Sequence, residues 1–97
     1  MEVRDPALTA LLRWWEEATV ADAEFCLNVV GIEPLKGDGA KLQMADGLEV
    51  RLPLDGVGRR LQTLRRLLPR VYREYPAPAY IDLRFAGQAV VGSKETG

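Results

Sequence analysis

Apolar and polar positions change rhythm several times along the chain, and each change predicts an element. Leu8, Leu11, Leu12 and Trp15 are spaced by three and four, the period of one helix face. Asp5-Pro6 opens that helix, since Asp accepts backbone N–H bonds as an N-cap and Pro suits the first helical position. Trp14 falls off the stripe and is expected at its rim, with Glu16 and Glu17 in solvent. Residues 23–33 are rich in β-formers. Phe25, Leu27 and Val29 alternate with Cys26, Asn28 and Val30, which predicts a strand stopped by Pro34.

After the loop Lys36-Gly37-Asp38-Gly39, two strands follow over Ala40–Met44 and Leu48–Leu52. Register decides the turn between them. A two-residue Asp46-Gly47 turn sets Leu42 and Met44 on the face opposite Leu48, Val50 and Leu52. A three-residue turn pairs Met44 with Leu48 and Leu42 with Val50, so all the apolar side chains share a face. The expectation is therefore a type I turn with a bulge and a left-handed Gly47.

Asp55-Gly56 opens a second helix with the stripe Val57, Leu61, Leu64, Leu68, Val71 and Tyr75. Pro69 cannot bond the carbonyl of Arg65, so a kink or restart is expected there. Tyr75-Pro76-Ala77-Pro78 leads stiffly into a last hairpin. Its first strand, Tyr80–Phe85, alternates apolar 81, 83 and 85 with polar 80, 82 and 84. Ala86-Gly87 turns the chain, and Gln88–Val91 returns as a short edge strand. The whole reads as one α+β domain over residues 1–97. It has a single mixed or antiparallel sheet of about five strands, with helices on one face, in the order α-β-β-β-α-β-β.

Composition narrows the function. With no histidine, His-based triads and His-ligated zinc sites are excluded, and a single Cys26 forbids an internal disulfide. Cys26 is read as a small strand side chain. No apolar run reaches the length of a membrane span, and no signal peptide is visible. A formal net charge of −1 gives no global attraction to nucleic acid. The charge is uneven, however. Residues 1–57 hold eleven acids and five bases, whereas 58–97 hold eight bases and three acids. Arg59, Arg60, Arg65, Arg66, Arg70 and Arg73 crowd the second helix. They offer an anion-binding face, and the alternative function is a nucleic-acid-binding module using it. No stacking aromatic is interleaved with them, which favours a solvated face whose arginine stems cover apolar surface. The element order is also that of double-stranded-RNA-binding domains, but the loops here are acidic or neutral.

No catalytic constellation emerges. The glycines form no phosphate-binding fingerprint, and adjacent Glu16 and Glu17 diverge on a helix. Asp82 and Arg84 share a strand face and are expected to pair as a structural ion pair. No catalytic, metal or cofactor residue is assigned, and no enzyme activity is expected. What stands out is the last strand. Small side chains, no Pro and no Lys leave it without the usual devices that prevent edge pairing.

The segments Leu42-Gln43-Met44, Asp46-Gly47-Leu48-Glu49-Val50-Arg51-Leu52, Arg60-Leu61 with Leu64 and Leu67-Leu68-Pro69, and above all Tyr80-Ile81-Asp82-Leu83-Arg84-Phe85, occur in an order that resembles the C-terminal β domain of the FtsQ/DivIB family of bacterial cell-division proteins. The resemblance implies a divisome scaffold outside the cytoplasm, anchored in the full-length protein by one membrane helix that precedes a POTRA domain. It implies no cofactor and no nucleic-acid partner. The implied partners are division membrane proteins of the FtsB/DivIC and FtsL type. The partner-binding residues it implies are Phe85, Ala86, Gly87, Gln88, Ala89, Val90 and Val91, with the partner adding a strand at 89–91. Ser93 stands where some members have an aromatic.

Overall fold

The computed structural model describes residues 6–36, 39–75, 77–85 and 88–93. Three helices and five strands follow as α1 Pro6–Ala21, α2 Ala23–Cys26, β1 Val29–Leu35, β2 Gly39–Met44, β3 Glu49–Pro53, α3 Val57–Glu74, β4 Pro78–Asp82 and β5 Val90–Ser93. The strands form one sheet in the order β1-β2-β3-β4-β5. All neighbours are antiparallel except β3 and β4, which run parallel because α3 carries the chain back between them. The fold is thus α+β with one mixed sheet, and α2 is an addition to the expected order.

The β2–β3 hairpin takes the three-residue turn. Leu42 pairs with Val50 and Ala40 with Leu52, and the Met44 N–H donates to the Leu48 carbonyl at 2.8 Å. Gly47 closes the turn at φ 95°, a conformation side-chain-bearing residues avoid. Asp46 reinforces it by accepting the Leu48 N–H at 3.0 Å. Leu42, Met44, Leu48, Val50 and Leu52 are all buried under the helices, joined by Ile81 and Leu83 of the next strand region.

Helix α3 presents Val57, Leu61, Leu64 and Val71 to this core, with Leu68 and Tyr75 packed partly buried beside them. It runs unbroken across Pro69 and does not restart there. Pro removes one donor, and the buried residues on either side hold the helix in place.

Three expectations are corrected. First, α1 turns a different face inward. Leu11, Trp14 and Ala18 are buried and Trp15 packs against the core, while Leu8 and Leu12 are exposed. A buried indole removes more apolar area than a leucine, and Ala18 one turn on allows α1 to approach closely. Second, residues 23–26 are a helical turn and not a strand. Asp22 caps it, accepting the Phe25 N–H at 3.0 Å, and Arg65 of α3 grips the same carboxylate at 3.1 and 3.2 Å. Cys26 therefore sits buried in α2, where burial, and then the Asp22 charge, push its thiol up. Third, Pro34 lies within β1, opposite Ala40. It is tolerated there because β1 is an edge strand and needs no donor on its outer side.

Candidate functional site

Polar groups, Asp82 among them, gather on the face of the sheet that lacks a helix cover, and the β4–β5 hairpin lies at one margin of that face. On β4, Ile81 faces the helices and is fully buried, whereas Tyr80 and Asp82 point to the other face. Arg51 of β3 stands between them. Its Nε donates to Glu49 at 2.6 Å, its Nη1 lies 3.7 Å from Asp82, and its guanidinium sits 4.3 Å from the centre of the Tyr80 ring.

Asp82 is the one charged residue buried among the described residues, only 2% exposed. Arg84 covers it, with Nη2 at 2.7 Å and Nε at 3.0 Å. Burial alone raises the Asp82 carboxyl. The Arg84 side-chain and backbone hydrogen bonds, with the Arg84 and Arg51 charges, outweigh it and hold the carboxyl below the ordinary aspartate value. The same pairing raises Arg84. Asp82 also accepts the Arg84 backbone N–H at 3.0 Å, which bends the chain. β4 therefore ends at Asp82, although the Leu83 N–H still reaches the Arg51 carbonyl at 2.8 Å. Sequence alternation carried this strand on to Phe85, but Phe85 has left the ladder and is half exposed.

The return strand is shifted as well. The Gln88 N–H donates to the Phe85 carbonyl at 3.2 Å, so the chain is still turning there. Pairing starts with Asp82 opposite Val90 and continues with Ile81 opposite Val91 and Tyr80 opposite Gly92. The strand is Val90–Ser93, not 88–91. Val91 packs against the core, Val90 lies on the open face at 38% exposure, and Gln88 and Ala89 precede the strand as exposed residues. Ala86 and Gly87 lie outside the described residues. Between α3 and this connection lies a groove of about 370 Å³, walled by Leu67, Leu83, Phe85 and Ala89 with Arg60 and Gln88 at its polar side.

Sequence reasoning missed Gly92. The Tyr80 ring lies over it so closely that a Cβ there would fall inside the ring. The expected turn at Ala86-Gly87 does not set Gly92 opposite Tyr80; only the shifted register of the folded hairpin brings the two together. The two sheet edges also differ. β1 contains Pro34, exposed Glu33 and a register shift between Val29 and Gly31 that leaves Val30 two-thirds exposed. Each of these discourages a further strand. β5 has neither Pro nor a charged residue, and among the described residues it pairs with β4 alone; the register shift in that ladder, between Pro78 and Tyr80, falls on β4.

The chain matches the sequence model of the family "Cell division protein FtsQ/DivIB, C-terminal" over residues 4–84. It belongs to that family. FtsQ/DivIB membership gives the domain a role in cell division and the character of an extracytoplasmic part of a membrane protein. Among the described residues no helix is long and apolar enough to cross a membrane. The FtsQ/DivIB match ends at Arg84, just before Phe85, so it covers the Asp82–Arg84 pair and stops short of β5. No curated protein matches the chain.

Proposed function

We propose that this domain is a non-enzymatic assembly platform of the bacterial divisome, on the outer side of the cell membrane, and that partner division proteins of the FtsB/DivIC and FtsL type add a strand to β5. The observation that carries this reading is the position of β5 at the end of the sheet, paired on one side among the described residues and containing no Pro or charged residue. Strand addition takes its affinity from backbone hydrogen bonds and its specificity from pockets for alternate side chains. Val90 on the open face and the groove beside Phe85 and Ala89 supply such pockets. The contrast with β1 directs the partner to one edge. Phe85, Gln88, Ala89, Val90 and Val91, with Ala86 and Gly87 between them in the chain, are the proposed contact residues.

The test is a pull-down of extracytoplasmic segments of FtsB/DivIC-type and FtsL-type proteins, paired with amide exchange. Wild-type protein retains a partner and gains protection at 90–93. Val90→Pro and Val90→Lys keep the circular dichroism of the fold and lose the partner. Undiminished capture by both variants would refute strand addition at β5.

A further inference from the structure

The structure sorts the six arginines of α3 into two groups. Arg60 faces Asp55 at 3.6 Å, and Arg65 holds Asp22 at 3.1 Å with Glu24 at 3.9 Å. Both therefore serve the fold. Arg59, Arg66 and Arg73 are exposed and have no carboxylate partner among the described residues, while Arg70 has only its helix neighbour Glu74, at 3.1 Å. At 100° per residue, positions 59, 66, 70 and 73 fall within an arc of about 60°. That arc lies directly opposite the buried stripe Val57, Leu61, Leu64 and Val71. The four guanidinium groups thus form one row about 21 Å long. Its spacing of seven, four and three residues is the spacing of side chains along one face of a second helix lying alongside.

We propose that this outer face of α3 is a docking strip for an acidic helical segment of a protein partner, with carboxylates repeating at the same spacing. Three observations select that occupant. Arginine forks bind carboxylates in bidentate fashion, and a helix delivers them at matching intervals. Tyr72, which lies between Arg70 and Arg73 in the chain, turns off the row to bond Asp46, and the row is left without the stacking platform that single-stranded nucleic acid uses. The net charge of −1 gives no long-range pull toward a polyanion or an anionic lipid surface, so recognition depends on local register. The strip does not depend on strand addition at β5, because it lies on another surface and binds through side chains.

The experiment titrates the full chain with a lactam-bridged helical peptide whose glutamates match the row. Parallel titrations use a peptide of the same composition with its glutamates spread around the helix, an oligodeoxythymidine, and vesicles of equal parts phosphatidylglycerol and phosphatidylcholine. The matched peptide binds best, and added salt weakens it. The combined variant Arg59→Glu, Arg66→Glu, Arg73→Glu weakens it by about tenfold or more. Lysines at the same three positions retain part of the affinity and confirm that the altered face still folds. Any of several results would overturn the proposal: no binding of the matched peptide at low salt, equal binding of the two peptides, or tighter binding to vesicles or oligonucleotide. Self-association that the triple variant abolishes would do the same, by assigning the strip to a second copy.

Discussion

The ring of Tyr80 lies over the backbone of Gly92, across the pairing between β4 and β5. Tyr80 fills the space a side chain at 92 would take, and the Arg51 guanidinium holds the ring at 4.3 Å from its centre. The last strand is thereby pinned to the sheet by an aromatic from its neighbour, leaving its far side as the sheet margin.

A methyl group at 92 displaces that ring. Gly92→Ala is expected to cost about 1–3 kcal/mol in wild-type protein. In a Tyr80→Ala background the same change costs less than about 0.5 kcal/mol, because the obstacle is gone. Urea denaturation of the four proteins measures this coupling, and equal costs in the two backgrounds would show that the ring does not govern position 92.

Asp82 sets an acid limit on stability. Its folded-state pKa is depressed, so the unfolded chain binds the proton more readily. The contribution is complete above the unfolded value of about 3.9 and is lost as the pH falls through the lower folded value. Asp82→Asn should remove about 1–3 kcal/mol at neutral pH, since Arg84 and Arg51 lose their anion. It should also shrink the drop in stability between neutral pH and about pH 3. Denaturation curves at both pH values decide this. An unchanged acid drop in the variant would place the limit elsewhere.

The inward face of α1 gives a third test. Trp14 is 2% exposed and Leu12 55% exposed. Trp14→Ala should cost about 3–5 kcal/mol, and Leu12→Ala less than about 1 kcal/mol. The midpoint of thermal or urea unfolding reports the difference. The reverse order would restore the face that leucine spacing alone suggests.

Some of this architecture was legible from residue order because the information is local. The β2–β3 register follows from alternation on both sides of a turn whose third residue is Gly47, and only one register buries Leu42 beside Val50. The α3 stripe recurs over enough turns to leave one solution. The Asp82–Arg84 pair is expected from the alternation of residues 80–85, and it forms where the chain bends out of the strand after Asp82. A short apolar run such as Phe25-Cys26-Leu27 suits strand or helix equally well. Asp22 and the distant Arg65 tip it to helix, and only folding brings those two together.

The chain order of apolar and polar residues thus determined the class of fold, the central hairpin, the second helix and the presence of a short return strand near the end, since each is set by neighbours in the chain. The tertiary structure decided which side of α1 is buried and where β5 begins. It also decided which arginines of α3 are engaged. Those outcomes depend on partners far apart in sequence, such as Trp14 against the sheet core, Tyr80 over Gly92 and Arg65 on Asp22. Spacing along the chain carries no record of them.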